Sequence, residues 1–191
     1  MTDIGKNRDA AVFLDRDGTV SEEVGYMYDE SLYKVFPWTG EAIRRVNLNG
    51  MKVILATNQS GIQRGYFTES TMNSVHDRLR EEIAKAQAKL DSVYFCPHRP
   101  DTGCECRKPQ PGMLFRAQRD LGLDLARSYM VGDRYLDVRT GKAAGAKAVL
   151  VLTGDGIKEY EQHKNAEIQP DFVAKDLAEA VDFILGEESH K

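Results

Sequence analysis

Ala10-Ala11-Val12-Phe13-Leu14-Asp15-Arg16-Asp17-Gly18-Thr19 decides the fold. The apolar residues run without alternation and stop abruptly at a carboxylate. A strand with one face in water alternates, whereas one covered on both faces reads as a short continuous run. Similar runs follow at Met51–Ala56, ending in Thr57-Asn58, and at Ser92–Phe95, ending in Cys96. Ser128–Val131 ends in Gly132-Asp133, Ala146–Leu152 ends in Thr153-Gly154, and Phe172-Val173-Ala174 is a weaker sixth. Helical patterns lie between them. Thr68 to Leu90 carries Met72, Val75, Leu79, Ile83, Ala86 and Leu90 at steps of three and four. Gly40–Leu48, Met113–Leu121 and Leu136–Ala144 are each followed by a glycine that can stop a helix, at Gly50, Gly122 and Gly145. Asp176-x-x-Glu179 resembles a capping box opening a last helix to about Leu185. Alternating short strands and helices predict an α/β, three-layer sandwich around a central parallel sheet, Rossmann-like in plan.

The chain of 191 residues suits one domain spanning 1–191, with no repeat, low-complexity tract or dividing linker. Sheet and helices use most of the sequence, so no large cap domain is expected. Apolar residues at 41% and charged residues at 29% argue against disorder. Lys plus Arg is 26 against 30 Asp plus Glu, a net charge of −4 that gives no case for nucleic acid as a partner. No apolar run approaches the ~20 residues of a membrane helix. The polar start, Met1 to Asp9, has no apolar signal-peptide core, so a cytoplasmic protein is expected. No exposed apolar heptad or edge pattern is evident, which points to a monomer. Residues 1–8 and 187–191 are expected to fray.

In open parallel sheets, ligands bind beyond the carboxyl ends of the strands. The first run is followed there by Asp15-Arg16-Asp17-Gly18-Thr19, the second by Thr57-Asn58-Gln59-Ser60 and the fourth by Gly132-Asp133, with Asp137 a turn later. Carboxylates brought into one crevice repel unless a cation joins them, and an oxygen-rich site of this kind suits Mg²⁺ with a phosphate. Arg107-Lys108 adds positive charge before the helix near Pro111. Taken singly, each of these has a plain reading. Asp15 and Asp17 could cap a turn at Gly18, Thr57-Asn58 and Gly132-Asp133 could be turns, and Lys108 could be an ordinary solvated lysine. Asp137 reads as a charge at a helix N-terminus rather than as a ligand.

Taken together, Asp15-x-Asp17-Gly18-Thr19, Thr57, Lys108 and Gly132-Asp133-x-x-x-Asp137 resemble, in order, the motifs of the haloacid dehalogenase superfamily of phosphatases. The resemblance spans most of the chain. It implies that Asp15 is the nucleophile, forming an aspartyl-phosphate, and that Asp17 is the general acid and then the base. It implies Mg²⁺ held by Asp15, the backbone carbonyl of Asp17 and Asp133, with Thr57 and Lys108 on the phosphoryl oxygens.

The three cysteines, Cys96, Cys104 and Cys106, lie close together with His98. Three thiols and an imidazole fit a closed, tetrahedral, structural zinc site. An odd count in a cytosolic-looking chain disfavours disulfides, and the competing reading is three buried inert thiols. A zinc loop here would lead directly into Arg107 and Lys108. The other histidines, His76, His163 and His190, fall in no motif.

Cys-x-His, a short loop and Cys-x-Cys-Arg-Lys-Pro resemble one branch of that superfamily, containing heptose bisphosphate phosphatases and histidinol-phosphate phosphatases. Asn58-Gln59-Ser60-Gly61-Ile62-x-Arg64-Gly65, Gly25-Tyr26 and Pro109-x-Pro111-Gly112-Met113 are more similar to the heptose enzymes. This implies removal of the 7-phosphate of a heptose 1,7-bisphosphate, on the route to lipopolysaccharide precursors. It also implies substrate contacts by Gly25, Tyr26, Asn58, Gln59, Ser60, Arg64, Arg107 and Arg134. Tyr26 could equally pack and Arg64 sit in solvent. Arg64 and Arg107 suit a second phosphate away from the reacting one. One residue departs from the pattern. Arg134 stands where the heptose enzymes usually carry Lys, as in some histidinol-phosphate enzymes, which keeps that substrate as the alternative.

Overall fold

The computed structural model describes residues 9–23, 25 and 32–189. The described residues form β1 (Ala11–Leu14), α1 (Thr39–Leu48), β2 (Lys52–Asn58), α2 (Glu69–Ala84), β3 (Ser92–Cys96) and α3 (Gly112–Leu121). They continue through β4 (Tyr129–Gly132), α4 (Tyr135–Ala143), β5 (Lys147–Val151), α5 (Gly156–His163), β6 (Phe172–Ala174) and α6 (Leu177–Glu188). All six strands pair in parallel in the order β3-β2-β1-β4-β5-β6.

The continuous apolar runs are divided residue by residue between two cores. Val12, Leu14, Val53, Leu55, Val131 and Val149 face α1, α2 and α6, packing on Ile43, Val46, Leu79, Ile83, Val181 and Ile184. Ala11, Phe13, Ile54 and Met130 face the other way onto Met113, Leu114 and Ala117 of α3. Ala148 and Leu150 join Tyr135 and Val138 of α4 on that side. Each fully buried Val, Leu, Ile or Phe contributes about 1.5–3 kcal/mol relative to exposure, so covering both faces stabilises a sheet that would otherwise be an aggregation hazard.

The chain runs outward from β1 to β3, then returns to lay β4 against the other side of β1. Strand order therefore reverses between β1 and β4, and the carboxyl ends of these two central strands open a crevice. The residues that follow them stand side by side there. The described residues include no large cap over this end.

Three local differences from the sequence pattern have physical causes. α2 ends at Ala84, short of Leu90, because Gln87 takes φ 59° and the Gln87 and Ala88 N–H groups turn back onto Ala84 and Ile83. Ala88 is buried and Leu90 packs beside it, so the apolar steps continue from a loop. α5 lacks an apolar stripe, burying only Gly156, and is invisible to periodicity. α6 runs on to Glu188 because Lys147 pairs with Glu187, while the Tyr129 hydroxyl and Arg127 hold Glu188 at 3.1 and 3.4 Å. At its other end Asp176 accepts from the Glu179 N–H as the capping motif requires, but the Glu179 carboxylate accepts from Lys175 N–H. Among the described residues no helix is long and apolar enough to cross a membrane.

Candidate active site

Asp15 leaves β1 and Asp133 leaves β4. The ladder between them extends one bond further, from Asp15 N–H to the Val131 carbonyl at 2.9 Å. Both carboxylates are thereby fixed at the mouth of the crevice. Lys108, from the loop before α3, reaches in beside Asp15. Its ammonium is 2.9 Å from Asp15 Oδ1 and 2.6 Å from Asp137 Oδ1, and the residue is only 2% exposed. Burial alone would lower the Lys108 pKa, but the Asp137 and Asp15 carboxylates override it and hold the lysine charged. Asp137, fully buried in the first turn of α4, also accepts from Arg134 N–H at 3.2 Å. It is both the helix charge that its position suggests and the partner of Lys108.

Asp133 has no such cation. Oδ2 accepts from Asp155 N–H at 2.8 Å, while Oδ1 is buried with no hydrogen-bond partner among the described residues. Burial, then the nearby Asp15 and Asp137 charges, push its carboxyl up to about 8. Gly18 and Gly154, at φ 79° and 54°, line the space it occupies, and a Cβ on either would come within 2.2 Å of Oδ2. Ligand oxygens of Asp15, Asp133 and Asp137 lie within 4.8 Å of one another. Hard oxygen donors, an orphaned carboxylate oxygen and excess negative charge fit a divalent cation such as Mg²⁺. Asp137 is spoken for by Lys108 and the α4 N-terminus, which leaves Asp15 and Asp133 as the carboxylates best placed to hold it.

The end of β2 supplies the opposite wall. The Thr57 hydroxyl, 1% exposed, accepts from Gln59 Nε2 at 2.8 Å, so its own proton is available to donate into the cavity. Asn58 clasps the Lys108 backbone with both ends of its amide, donating to the Lys108 carbonyl and accepting from its N–H, each at 3.1 Å. Gln59 is 4% exposed and also donates to Asp17 Oδ2 at 3.2 Å. Asn58 and Gln59 thus spend their polar atoms on the site itself, although both line the cavity.

The cavity above these groups holds about 440 Å³ and is also lined by Gly25, Ser60, Arg64, Arg107 and Arg134. Arg107 donates to the His98 carbonyl at 3.1 Å. Arg134 is engaged by Glu23 at 2.9 Å and Asp155 at 2.7 Å. Tyr26 lies outside the described residues. Gly61 of the Asn58–Gly65 motif also lines the cavity, and Glu23 and Phe67 line it without any sequence signal pointing to them. Asp17 stands apart from the carboxylate cluster, gripped by Arg16 through both oxygens at 3.0 and 2.9 Å. Arg16 had no motif role in the sequence, since it merely separates two aspartates.

The four residues of the cysteine segment converge. In five pairs the donor atoms of Cys96, His98, Cys104 and Cys106 lie 3.2–3.6 Å apart: Cys106 with Cys96 3.2 Å, with Cys104 3.5 Å and with His98 Nδ1 3.2 Å; Cys96 with Cys104 3.6 Å and with His98 Nδ1 3.5 Å. These separations are far from the ~2.05 Å of a disulfide. They are close to the edges of a tetrahedron built on metal–ligand bonds of about 2.0–2.3 Å. The donor set therefore fits zinc.

The family model described as HAD-hydrolase-like matches residues 105–180. A D-glycero-D-manno-heptose-1,7-bisphosphate 7-phosphatase of Thermosynechococcus vestitus is 43% identical over 185 residues, covering 91% of this chain and 94% of the relative. D-glycero-beta-D-manno-heptose-1,7-bisphosphate 7-phosphatase of Yersinia pestis is 41% identical, covering 88% of this chain and 92% of the relative. The crystal structure of D,D-heptose 1,7-bisphosphate phosphatase from B. bronchiseptica, complexed with magnesium and phosphate, superposes with a TM-score of 0.86 at 36% identity, covering 93% of this chain and 99% of that one. These relatives lend no support to the histidinol-phosphate alternative. Arg134, on which it rested, is occupied by Glu23 and Asp155.

Proposed function

The chain belongs to the D-glycero-D-manno-heptose 1,7-bisphosphate 7-phosphatase family, and on that premise we propose that it is a phosphoric monoester hydrolase removing the 7-phosphate of this sugar bisphosphate. The observation that carries the reading is the buried Lys108 ammonium between Asp15 and Asp137, beside the orphaned Asp133 oxygen, at the β1/β4 switch point. The Asp15 carboxylate attacks phosphorus, the bond from phosphorus to the C7 oxygen breaks, and Asp17 delivers its proton to that oxygen. Asp17 then takes a proton from water as the water attacks the aspartyl-phosphate, releasing phosphate and restoring Asp15. Lys108 and the Thr57 hydroxyl bind the transferring phosphoryl oxygens. Asp15, the Asp17 carbonyl and Asp133 would hold Mg²⁺, which when bound would supply charge that offsets the approach of one anion to another.

Arg64 and Arg107, which line the same cavity, suit the second phosphate. Zinc held by Cys96, His98, Cys104 and Cys106 would have no open ligand position and would be structural. Its loop fixes the chain entering Lys108, with the Arg107 guanidinium tied back to the His98 carbonyl.

Phosphate release with Mg²⁺ from D-glycero-D-manno-heptose 1,7-bisphosphate and from histidinol phosphate tests the assignment, and the heptose is expected to be turned over far faster. Asp15→Asn is expected to abolish nearly all turnover while the protein stays folded. A preference for histidinol phosphate would refute the substrate, and an active Asp15→Asn protein would refute the nucleophile.

A further inference from the structure

Arg16 is 1% exposed, and a guanidinium taken out of water costs several kcal/mol unless its donors are matched. The matching is nearly complete and points to one target. Nε and Nη2 form a fork on the two oxygens of Asp17, at 3.0 and 2.9 Å. Nη2 also donates to Gln59 Oε1 at 3.1 Å, and the amide nitrogen of that same Gln59 reaches Asp17 Oδ2 at 3.2 Å. Nη1 turns away toward α2 and faces Nε2 of His76 at 3.5 Å. His76 is 2% exposed on the inner face of α2, beside Met72, Val75 and Leu79. Burial, then the Arg16 and Arg80 charges, bring its pKa down to about 3. The ring is neutral, and with the proton on Nδ1 its Nε2 lone pair accepts from Arg16. The Arg16 backbone is clamped as well, its carbonyl accepting from the N–H groups of Val20 and Ser21 at 3.0 and 3.2 Å.

We propose that Arg16, backed by His76 and flanked by Gln59, is a positioning residue that sets the plane and direction of the Asp17 carboxyl for proton transfer to the leaving oxygen. This rests on the reading of Asp17 as the acid and base. A planar fork constrains both oxygens of a carboxylate, which a lysine ammonium cannot do. Proton transfer is steep in angle and distance, so the lost constraint falls on kcat rather than on substrate binding. Among the described residues His76 is not part of the cavity lining, and it reaches Asp17 through Arg16.

The test uses the full chain with Mg²⁺ and heptose bisphosphate, with thermal melts confirming that each variant is folded. Arg16→Lys is expected to lower kcat by about 10²-fold, within the range that a positioned acid contributes, with KM changed less than about threefold. His76→Leu is expected to lower kcat roughly fivefold, and His76→Gln, whose amide oxygen can accept, to recover at least half of that loss. In an Asp17→Asn background Arg16→Lys should cost almost nothing further, because the group it positions is gone. A rise in KM at unchanged kcat, or losses that multiply in the double variant, would overturn the proposal. If Asp17→Asn alone turned over like the wild type, the assignment of Asp17 would fail instead, which separates the two conclusions. Should Arg16→Lys not fold, the His76→Leu and His76→Gln pair decides, equal losses in both counting against the proposal.

Discussion

Replacing Asp133 by Asn should make the Mg²⁺-free protein more stable while removing its response to Mg²⁺. The residue is fully buried, and one of its oxygens has no hydrogen-bond partner. Its carboxyl is pushed from 3.8 up to about 8, by burial first and then by Asp15 and Asp137. A carboxyl raised on folding contributes stability that is fully present below its unfolded pKa and lost as pH rises through the folded one. Each unit corresponds to about 1.36 kcal/mol, so a shift of roughly four units sets a ceiling of about 5–6 kcal/mol lost by pH 8. Relaxation and water at the crevice mouth lower the net figure, for which about 2–4 kcal/mol is a reasonable range. Asn escapes this loss. Its carbonyl can still accept from Asp155 N–H, and its NH₂ replaces an unpartnered oxygen among carboxylates. At about 2–4 °C per kcal/mol for a chain of this length, Tm at pH 8 should rise by roughly 5–15 °C, with a smaller rise at pH 5. The assay is a thermal melt at pH 5, 6.5 and 8 in Mg²⁺-free buffer, without a chelator strong enough to strip zinc, and again with saturating Mg²⁺. Wild-type protein should gain more from Mg²⁺ as pH approaches 8, and Asp133→Asn should gain nothing. A variant no more stable than wild type at pH 8 without Mg²⁺, or one still stabilised by it, would refute the reasoning.

Gly154→Ala places a Cβ 2.2 Å from Asp133 Oδ2 and 2.6 Å from Gly18 Cα at φ 54°, so it should cost about 1–3 kcal/mol and weaken Mg²⁺ binding, read by titration against Tm. Gly186→Ala is the control with the opposite sign. It lies within α6 with nothing within 4 Å of its new Cβ, and should stabilise by about 0.5–1 kcal/mol without touching Mg²⁺ affinity. Cys106→Ala, which removes the thiol closest to both Cys96 and His98, should abolish bound zinc by metal analysis, lower Tm and reduce kcat through the loop carrying Lys108. Full zinc content in that variant would remove the cluster from the metal assignment.

What the sequence revealed and what it hid follow from the same geometry. The apolar run of β1 is interpretable because each residue must be buried on one face or the other, and its chemistry begins where the run breaks, at Asp15. Asp133 is found the same way at the end of β4. The convergence of Cys96, His98, Cys104 and Cys106 was legible because their spacing is local. Roles that depend on a side chain meeting a partner far away in sequence were not. Asn58 and Gln59 read as substrate contacts; that their amides also close on Lys108, Thr57 and Asp17 is visible only in the packing of β2 beside β1 and the α3 loop. Arg16 and His76 are 60 residues apart and meet only because α2 covers the sheet face behind the first motif.

Arg134 shows most clearly how a single position misleads when its neighbours are unknown. Read alone, an arginine in place of lysine beside a phosphate site signals a different anion, because the guanidinium offers a fork that the ammonium lacks. In the fold that fork is taken by Glu23, through both carboxylate oxygens at 2.9 and 3.1 Å, and by Asp155 at 2.7 Å. With two carboxylates around one guanidinium, its charge is already answered from within the chain. The substitution therefore ties the segment after the first motif to the loop after β5, whose Asp155 N–H also holds Asp133. What looked like a change of substrate is a change in how the walls of the same cavity are braced.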